Sequence, residues 1–386
     1  MPERLIVFSD DWGRHPSSCQ YLVRQLLGRC EVTWINTIGT RRPLWNWATV
    51  RRGLEKMRDW RAPVQVAGGQ RSPELRNPKM WPGFHRAWFR RWNGRLLARC
   101  LRSSGGPRIE EAVVLSTLPI VADLIGVAPV RRWVYYCVDD LSAWPGLDGG
   151  MLREMEQLLV ERADRLVAAG ENLACRLRSR GREPTVITHG VDVSHWSCPS
   201  AVTAGRRRAW SEIPQPRVLF WGLLDRRLDV AWLDALGHAL PEGSLVLVGP
   251  VQNPDPALSR VPRVYQPGRF TVEELSWAAA HSDVLIMPYA DLPVTRAMQP
   301  LKLKEYLATG KPVVVRRLPA VEDWCDCLDA ADTAAAFVRQ VRERIHGGIP
   351  AGQQVARRRL AKEDWASKAE AMARVLFEQE SAWNEG

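Results

Sequence analysis

The sequence predicts an α/β protein of two domains, each a parallel β-sheet covered by helices on both faces. Three observations support this prediction. The chain has 386 residues, more than one compact domain usually holds. Short apolar runs alternate with longer helical patterns along most of its length, as in proteins with parallel sheets. A polar, proline-containing stretch at residues 197–216 interrupts that alternation midway along the chain.

In the first half of the chain, short apolar runs predict seven strands, because parallel strands that are buried on both faces read as continuous apolar stretches. These strands are Leu5–Phe8, Glu31–Ile35, Pro63–Val66, Ala112–Leu115, Trp133–Cys137, Arg165–Ala168 and Thr185–Ile187. Apolar residues at helical spacing predict helices between them, including Ser18–Leu27 and Leu152–Ala163. Together these elements define a doubly wound domain over residues 1–196.

After a predicted linker at 197–216, the alternation restarts. Strands are predicted at Arg217–Trp221, Ser244–Val248, Arg263–Tyr265, Asp283–Met287 and Pro312–Val315. Helices are predicted at Val230–Leu240, Val272–Ala280, Leu301–Thr309 and Thr333–Ile345. These elements define a second doubly wound domain, 217–364. We expect the terminal helix, Glu363–Glu380, to carry residues 365–386 back to the first domain, with the two domains facing a cleft.

The composition argues against several classes of protein. A hydrophobic fraction of 46% with 25% charged residues is that of a folded chain. No run of 18 apolar residues occurs, so no segment is expected to span a membrane, and the first apolar run is too short for a signal peptide. The eight cysteines include no Cys-x-x-Cys pair, which argues against a zinc site or a disulfide framework. We therefore expect a cytosolic protein without a structural metal.

The positive charge is concentrated in one segment. The chain has a net charge of +11, whereas residues 41–108 alone carry +14 and hold six tryptophans. Some aromatic residues of this segment recur at helical spacing, as Trp81, Phe84, Trp88 and Trp92 do. Such a pattern suits an interfacial helix on an anionic membrane surface. Core packing with a solvated basic face and binding of nucleic acid are the alternative interpretations.

Function in open α/β sheets is expected in the loops at the carboxyl ends of the strands. Neither Gly-x-Gly-x-x-Gly nor a P-loop pattern occurs. The most distinctive segment, 300–314, follows the predicted strand Asp283–Met287. The first turn of its helix combines backbone N–H groups and Lys302 into an anion site, and Glu305 is placed to accept hydrogen bonds from ribose hydroxyls. The alternative is an ordinary amphipathic helix with Lys302, Lys304 and Glu305 on a solvated face.

This segment resembles the donor-binding motif of GT-B glycosyltransferases, Pro-x-Lys-x-x-Glu-Tyr-x-Ala-x-Gly-x-Pro-Val-Val. The likeness is to the GT4-like family and its bacterial exopolysaccharide relatives. Further matches occur in the family's order, at His189-Gly190-Val191-Asp192, Trp221-Gly222-Leu223-Leu224, residues 282–288 and Trp365. The resemblance implies two Rossmann-like domains and transfer of a sugar from a nucleotide diphosphate sugar.

The resemblance also implies roles for single residues of the donor site. Glu305 matches the glutamate that bonds the ribose, and Lys302 matches the lysine that faces the pyrophosphate. Gly222 and Leu223 match the loop whose backbone approaches the pyrophosphate, and Arg227 lies near the family's phosphate-binding arginine. Since such cations neutralise a leaving diphosphate, no metal and no cofactor are expected. The expected donor is a UDP-sugar.

The chain departs from the family at one donor position. Many retaining members have a second glutamate eight residues before the one matched by Glu305, and here that position is Ala297. Backbone groups near Met298 and Gln299 are then the candidates for holding the donor sugar. Retention or inversion of the anomeric configuration stays open.

The acceptor side is expected in the first domain. Residues 135–142 resemble the Tyr-x-x-x-Asp-Asp segment of bacterial exopolysaccharide transferases, including the inverting glucuronosyltransferase of the xanthan type. An inverting enzyme needs a carboxylate base for the acceptor hydroxyl. Asp140 is the first candidate and Asp139 the second. In the alternative interpretation, one of them caps the following turn.

The loop after the first strand supplies two more candidates. Asp11 or His15 is placed to act as the base or to bind the acceptor. In the alternative interpretation, Ser17 or Ser18 caps the next helix and Asp10 shapes a turn.

The sequence therefore predicts a glycosyltransferase that moves a sugar from a nucleotide sugar to a glycan or polyprenyl-linked acceptor in bacterial surface polysaccharide synthesis. Residues 41–108 place it on the cytoplasmic face of an anionic membrane. A nucleotide-sugar epimerase of the same fold and a basic nucleic-acid-binding protein are the alternatives. Because nucleic-acid binding leaves the segment 302–312 unexplained, no nucleic-acid partner is predicted.

Overall fold

The structure is a computed structural model that describes residues 2–13, 17–37, 71–80, 84, 87–144 and 147–378. The chain divides into two compact units, Met1–His189 with Trp365–Gly386, and Gly190–Asp364. Each unit contains one parallel sheet and its own buried apolar residues. The predicted fold class, α/β with two doubly wound domains, is confirmed.

A seven-stranded parallel sheet forms the centre of the first unit, in the order β3-β2-β1-β4-β5-β6-β7. Its strands are β1 (Glu3–Ser9), β2 (Cys30–Asn36), β3 (Glu74–Arg76), β4 (Ala112–Ser116), β5 (Arg132–Cys137), β6 (Arg165–Ala168) and β7 (Thr185–Val186). All five residues of β4 are buried, because the sheet is covered on both faces.

The second unit contains a six-stranded parallel sheet in the order β10-β9-β8-β11-β12-β13. Its strands are β8 (Arg217–Trp221), β9 (Ser244–Val248), β10 (Val264–Tyr265), β11 (Val284–Met287), β12 (Val313–Arg316) and β13 (Asp329–Ala331). Every residue of β8, β9 and β11 is buried. These three strands form the middle of the core.

Helices connect the strands in both units. The α-helices of the described residues are α1 (Ser18–Leu26), α2 (Ala87–Gly105), α3 (Gly149–Arg162), α4 (Glu171–Arg178), α5 (Val193–Ser197), α6 (Ala204–Ser211), α7 (Val230–Ala239), α8 (Val272–Ala280), α9 (Pro293–Ala297), α10 (Lys302–Ala308), α11 (Ala334–Gly347), α12 (Ala351–Ala356) and α13 (Trp365–Phe377). Short 3₁₀ helices lie at Gly106–Glu111, Pro119–Leu124, Leu141–Ala143, Pro256–Arg260, Pro319–Trp324 and Arg357–Lys362.

The order of the strands indicates where each sheet is expected to bind a ligand. In both sheets the chain reverses the direction in which it adds strands, between β1 and β4 in the first unit and between β8 and β11 in the second. Ligands of open α/β sheets bind at the carboxyl ends of the strands that flank this reversal. Asp10 and Thr117 follow β1 and β4, and Gly222 and Pro288 follow β8 and β11.

The terminal helix α13 packs in the first unit, against α1. The ring of Trp365 stacks on Tyr21 with a centroid distance of 4.7 Å. At the other end of α13, three arginines donate to carbonyl oxygens that have no partner within the helix. These bonds are Arg131 to Phe377 at 2.6 Å, Arg132 to Leu376 at 2.7 Å and Arg165 to Val375 at 3.0 Å.

The stretch 197–216 differs from the expected linker. It contains α6, and Trp210 of that helix is 2% exposed within the core of the second unit. The Trp210 indole donates to the His281 carbonyl oxygen at 3.3 Å. The second unit therefore begins at Gly190, before the predicted boundary at 196. Two large apolar residues, Trp210 and Ile213, attach this stretch to the core. The sequence pattern did not reveal them, because arginines and prolines dominate the stretch around them.

Two strands differ from the expectation as well. The predicted strand Pro63–Val66 lies outside the described residues, and Glu74–Arg76 pairs with β2 as the edge strand β3. The short strand β13 pairs with β12 and was not predicted, because its three residues form no apolar run.

Candidate functional site

The glycine loop after β8 lies against the side chain of Lys302. Gly222 has a φ of +145°, and a Cβ atom built there would lie 2.0 Å from Lys302 Nζ. Gly249, after β9, has a φ of +144°, and its Cβ atom would lie 1.9 Å from the carbonyl oxygen of Gly222. Only glycine fits at either position. The two loops therefore place bare backbone beside the Lys302 ammonium.

Lys302, the first residue of α10, is held by neutral groups. Its Nζ donates a hydrogen bond of 2.6 Å to the Tyr289 hydroxyl and lies 4.7 Å from the ring centroid of Phe220. In the described part of the chain, no ion pair joins Lys302 to a carboxylate. Its charge therefore remains available to an anionic ligand.

Glu305 lies one turn after Lys302 and has an unusual pKa. Burial raises the pKa of Glu305 to about 7, although a hydrogen bond with the Trp221 side chain and the charge of Lys302 both favour the carboxylate. The Trp221 ring stacks on Trp196 with a centroid distance of 5.3 Å and packs against Tyr306 at 4.0 Å. A hydroxyl that donates to Glu305 would stabilise the charged form further.

Arg227 lies on the loop after β8, and its guanidinium is already paired. The residue is 8% exposed, and its Nε and Nη2 each lie 3.0 Å from an oxygen of Asp225. Its Nη1 lies 3.5 Å from the Met298 sulfur. The structure thus brings together Arg227 and Met298, and it adds Asp225, which the sequence did not indicate. Leu223 and Gln299, on the same two loops, are half-buried.

The interpretation of α10 as a solvated charged face is wrong for Lys304. That residue is 7% exposed and forms an ion pair with Glu363 at 2.5 Å. Leu303 and Tyr306 of the same helix are buried in the core. The charges on α10 are therefore held in fixed positions.

In the first unit, Asp140 forms the cap that the alternative interpretation expects. Its Oδ1 accepts hydrogen bonds from Ser142 N at 3.0 Å and Ser142 Oγ at 2.7 Å. The same oxygen lies 3.5 Å from Arg176 Nη1. Asp139 Oδ1 accepts a hydrogen bond from the backbone N–H of Asp140 at 3.0 Å. The two carboxylates therefore lie directly after β5, as predicted, with one oxygen of each engaged locally.

A buried charged cluster lies next to Asp140. Glu156 accepts hydrogen bonds from Arg176 at 2.6 and 2.7 Å and from the Tyr135 hydroxyl at 2.7 Å. Arg180 adds an ion pair with Glu156 at 3.0 Å. Because breaking such a buried cluster is costly, Arg176 gives the Asp140 turn a rigid neighbour.

Asp10, for which the sequence left open a functional role or a role in shaping a turn, lies at the chain reversal of the first sheet. Its Oδ1 accepts hydrogen bonds from Ser9 Oγ at 2.9 Å and Ser17 Oγ at 3.4 Å. The Ser9 hydroxyl is also 2.7 Å from that of Thr117, after β4. Burial raises the pKa of Asp10 above its ordinary value. The position directly after the first strand is the sequence signal for this residue.

The other candidates of this loop are less defined. The Asp11 carbonyl oxygen accepts a hydrogen bond from Gln20 Nε2 at 3.3 Å, and the Asp11 side chain is half-buried. His15 lies outside the described residues. Ser17 caps α1 by accepting from Gln20 N at 3.4 Å, as the alternative interpretation expects.

Neither a metal cluster nor a membrane span is found among the described residues. No three His, Cys, Asp or Glu side chains there are grouped to hold a metal ion. None of the described helices combines the length and the apolar character needed to cross a bilayer.

Three solved structures share this architecture over nearly the whole chain. Sucrose-phosphate synthase from Thermosynechococcus elongatus is 15% identical with a TM-score of 0.69, covering 97% of this chain and 98% of the other. An Escherichia coli trehalose-6-phosphate protein bound with UDP-2-fluoro glucose is 13% identical with a TM-score of 0.66, covering 97% and 98%. Anabaena HepE in complex with UDP-glucose is 14% identical with a TM-score of 0.61, covering 97% and 96%.

The chain has the GT-B fold. This fold is the one that the sequence motifs imply. No model of a known protein family matches the chain. A curated relative is 30% identical over 182 residues, 44% of this chain and 44% of its own length; its name is "Putative teichuronic acid biosynthesis glycosyltransferase TuaH", from Bacillus subtilis (strain 168). The match thus spans less than half of that relative.

The raised pKa of Glu305 predicts a pH-dependent stability. Between its ordinary pKa and about 7, the folded state binds more protons at Glu305 than the unfolded state does, so this group makes the wild type less stable as pH rises through that window. Glu305→Gln lacks this loss. The free energy of unfolding of the variant, measured relative to that of the wild type, should therefore be higher at about pH 8 than at about pH 5.

Urea unfolding of both proteins at the two pH values measures this difference. The exposed Glu242→Gln is the matched control for loss of a carboxyl in the same unit. A difference between Glu305→Gln and wild type that stays constant with pH would contradict the burial of the Glu305 carboxyl.

Proposed function

We propose that the protein is a glycosyltransferase that moves a hexose from a UDP-sugar to a glycan or polyprenyl-linked acceptor in bacterial surface polysaccharide synthesis. The observation that carries this proposal is the position of Lys302 beside Gly222, with Glu305 one turn later on α10 and next to Trp221. A diphosphate fits the cation and the bare backbone, and a ribose fits the carboxyl group one turn later. HepE, which binds UDP-glucose, supports the donor, and the relative named for teichuronic acid biosynthesis supports the pathway class.

The chemistry assigns clear tasks to the two cations. In the transfer, the bond between the sugar C1 and the diphosphate oxygen breaks, and the electron pair leaves with UDP. Lys302 and Arg227 would neutralise the charge that develops on that oxygen. Since the chain itself supplies both charges, we propose a reaction that needs no metal. Met298 and Gln299 would hold the donor sugar in place of the glutamate that Ala297 replaces.

The acceptor hydroxyl must lose its proton as its oxygen bonds to C1. We propose that Asp140 accepts this proton in an inverting reaction, since it follows β5 at the carboxyl edge of the first sheet. Ser142 and Arg176 fix one oxygen of its carboxylate and so set the direction of the other. Asp139, Asp11 and His15 are the other residues proposed for this side of the reaction.

We also propose that the protein binds the cytoplasmic face of the membrane through the basic segment 41–108. Within the described part of this segment, Trp88 and Trp92 of α2 are 55% and 50% exposed. A groove of about 790 Å³ runs beside α2 and is lined by five arginines and one acid, Asp123. Asp123 is already bound by Arg90 at 2.6 and 2.8 Å.

The remaining arginines of the groove suit acidic lipid headgroups. Arg91, Arg95, Arg99 and Arg102 recur at spacings of four, four and three residues, which places them on one face of α2. All four side chains are exposed. Anionic lipids attract such a row of cations, while the indoles suit the headgroup layer.

The donor site predicts stabilisation by nucleotide sugars. A panel of nucleotide sugars, tested by thermal unfolding in the presence of EDTA, should raise the melting temperature with UDP-sugars. Lys302→Met should weaken UDP binding about 30-fold, because a charge-assisted hydrogen bond contributes ~2 kcal/mol. The exposed Lys362→Met should bind UDP like the wild type.

Two results would contradict this donor site. One is undiminished UDP binding by Lys302→Met, and the other is binding by the wild type that EDTA abolishes. NMR of a nucleotide sugar incubated without acceptor tests the epimerase alternative, which alone predicts a change of configuration in the unreacted donor.

The proposed base predicts a loss of turnover without a loss of donor binding. Asp140→Asn should lower kcat by about 100-fold or more, because an amide cannot accept the acceptor's proton. The dissociation constant of the UDP-sugar should stay unchanged. Asp10→Asn is the comparison variant at the loop after β1, and a larger loss of kcat there than in Asp140→Asn would move the base to Asp10.

The arginine face of α2 predicts selective vesicle binding. Replacing Arg91, Arg95 and Arg99 together by Gln should weaken binding to phosphatidylglycerol-containing vesicles about 100-fold, at ~1 kcal/mol for each charge. A matched triple variant carries Gln at three exposed arginines of the second unit, Arg207, Arg260 and Arg342. Equal cosedimentation of both triple variants, or equal binding of the wild type to uncharged vesicles, would refute this membrane surface.

A further inference from the structure

Tyr289 contacts both of the cations that the donor site would use. It follows Pro288 at the carboxyl end of β11 and is 2% exposed. Its ring centroid lies 5.2 Å from Lys302 Nζ and 5.9 Å from Arg227 Cζ. One aromatic ring therefore lies near two positive charges in the second unit. The electron-rich face of an aromatic ring attracts cations.

The Tyr289 hydroxyl gives Lys302 a defined direction. Lys302 Nζ donates to the hydroxyl oxygen at 2.6 Å. An ammonium has three N–H donors, so two remain for a ligand. A lysine side chain has a flexible stem, and binding an anion normally costs it rotamer entropy. A lysine side chain that is already held in place loses less rotamer entropy when the anion binds.

The loops that carry the two cations are tied together at Tyr289. Tyr289 forms a backbone bridge with Leu228, and the next residue, Ala290, donates from its N–H to the carbonyl oxygen of Arg227 at 2.7 Å. The Tyr289 ring meets Phe220 edge-on, with a centroid distance of 6.0 Å and an angle of 90°. Movement of the ring would therefore shift both the β8 loop and the start of α10.

We propose that Tyr289 is a positioning residue that holds Lys302 and Arg227 in place for the diphosphate of the donor. This inference rests on the proposed function, because it takes UDP as the ligand. Tyr289 acts through Lys302, and its hydroxyl contributes to the binding of the phosphates but not to that of the nucleoside. A purely structural tyrosine would instead affect both parts of the ligand alike.

The test compares UDP with uridine on Tyr289→Phe, which keeps the ring and removes the hydroxyl. Calorimetry should show about tenfold weaker binding of UDP and unchanged binding of uridine. Tyr306→Phe is the matched control, since its buried hydroxyl bonds the backbone N–H of Trp221 at 3.0 Å. Because Trp221 supports Glu305, which is proposed to bind the ribose, Tyr306→Phe should weaken uridine and UDP equally.

A double-mutant cycle shows whether Tyr289 acts through Lys302. In a Lys302→Met background, Tyr289→Phe should change UDP binding by less than about twofold, because the hydroxyl has lost the group that it positions. A further variant, Tyr289→Leu, removes the ring as well and should weaken UDP binding more than Tyr289→Phe does, since Arg227 then loses its contact too.

Three results would overturn the inference. They are UDP binding by Tyr289→Phe equal to that of the wild type, equal weakening of uridine and UDP in that variant, and a full tenfold effect of Tyr289→Phe in the Lys302→Met background. A wild type that binds no nucleoside diphosphate would overturn the proposed function itself. That outcome is seen before any variant is made, so the two failures are distinguishable.

Discussion

The contact between the Lys302 ammonium and the Tyr289 hydroxyl is the interaction on which the proposed donor site depends. The ammonium lies 2.0 Å from where a Cβ atom on Gly222 would be, so a side chain at that position would displace it, and the φ of +145° there also favours glycine. Its partner is a neutral hydroxyl that cannot cancel its charge. A cation held in this way attracts an anion without first having to break an ion pair.

Two other cations of the second unit are held differently. Lys304 is paired with Glu363, and Arg344 forms two hydrogen bonds with Asp329. Such pairing offsets the cost of removing charges from water. Arg227 is paired with Asp225 and also lies 5.9 Å from the centroid of the Tyr289 ring, which is close to Lys302 as well. Lys302 thus differs from Lys304 and Arg344 in that no carboxylate is paired with it among the described residues.

The central strands were predictable because they are continuous apolar runs, and three of them have the expected bounds: Arg165–Ala168, Arg217–Trp221 and Ser244–Val248. The burial of Trp210 was not, since polar neighbours surround it in the chain. Lys302 and Glu305 were predictable from the spacing of a sequence motif, because both residues lie on the same helix, α10. Tyr289 was missed because its partners come from two other segments, and sequence spacing carries no signal for a contact formed only in the folded chain.

A crystal structure of the protein with UDP tests the central claim most directly. The account predicts that oxygens of the diphosphate lie within hydrogen-bond distance of Lys302 Nζ and of the backbone at Gly222, with a ribose hydroxyl on Glu305 and the Tyr289 hydroxyl still bonded to Lys302. A diphosphate bound away from Lys302, with the ammonium still directed only at Tyr289, would contradict it.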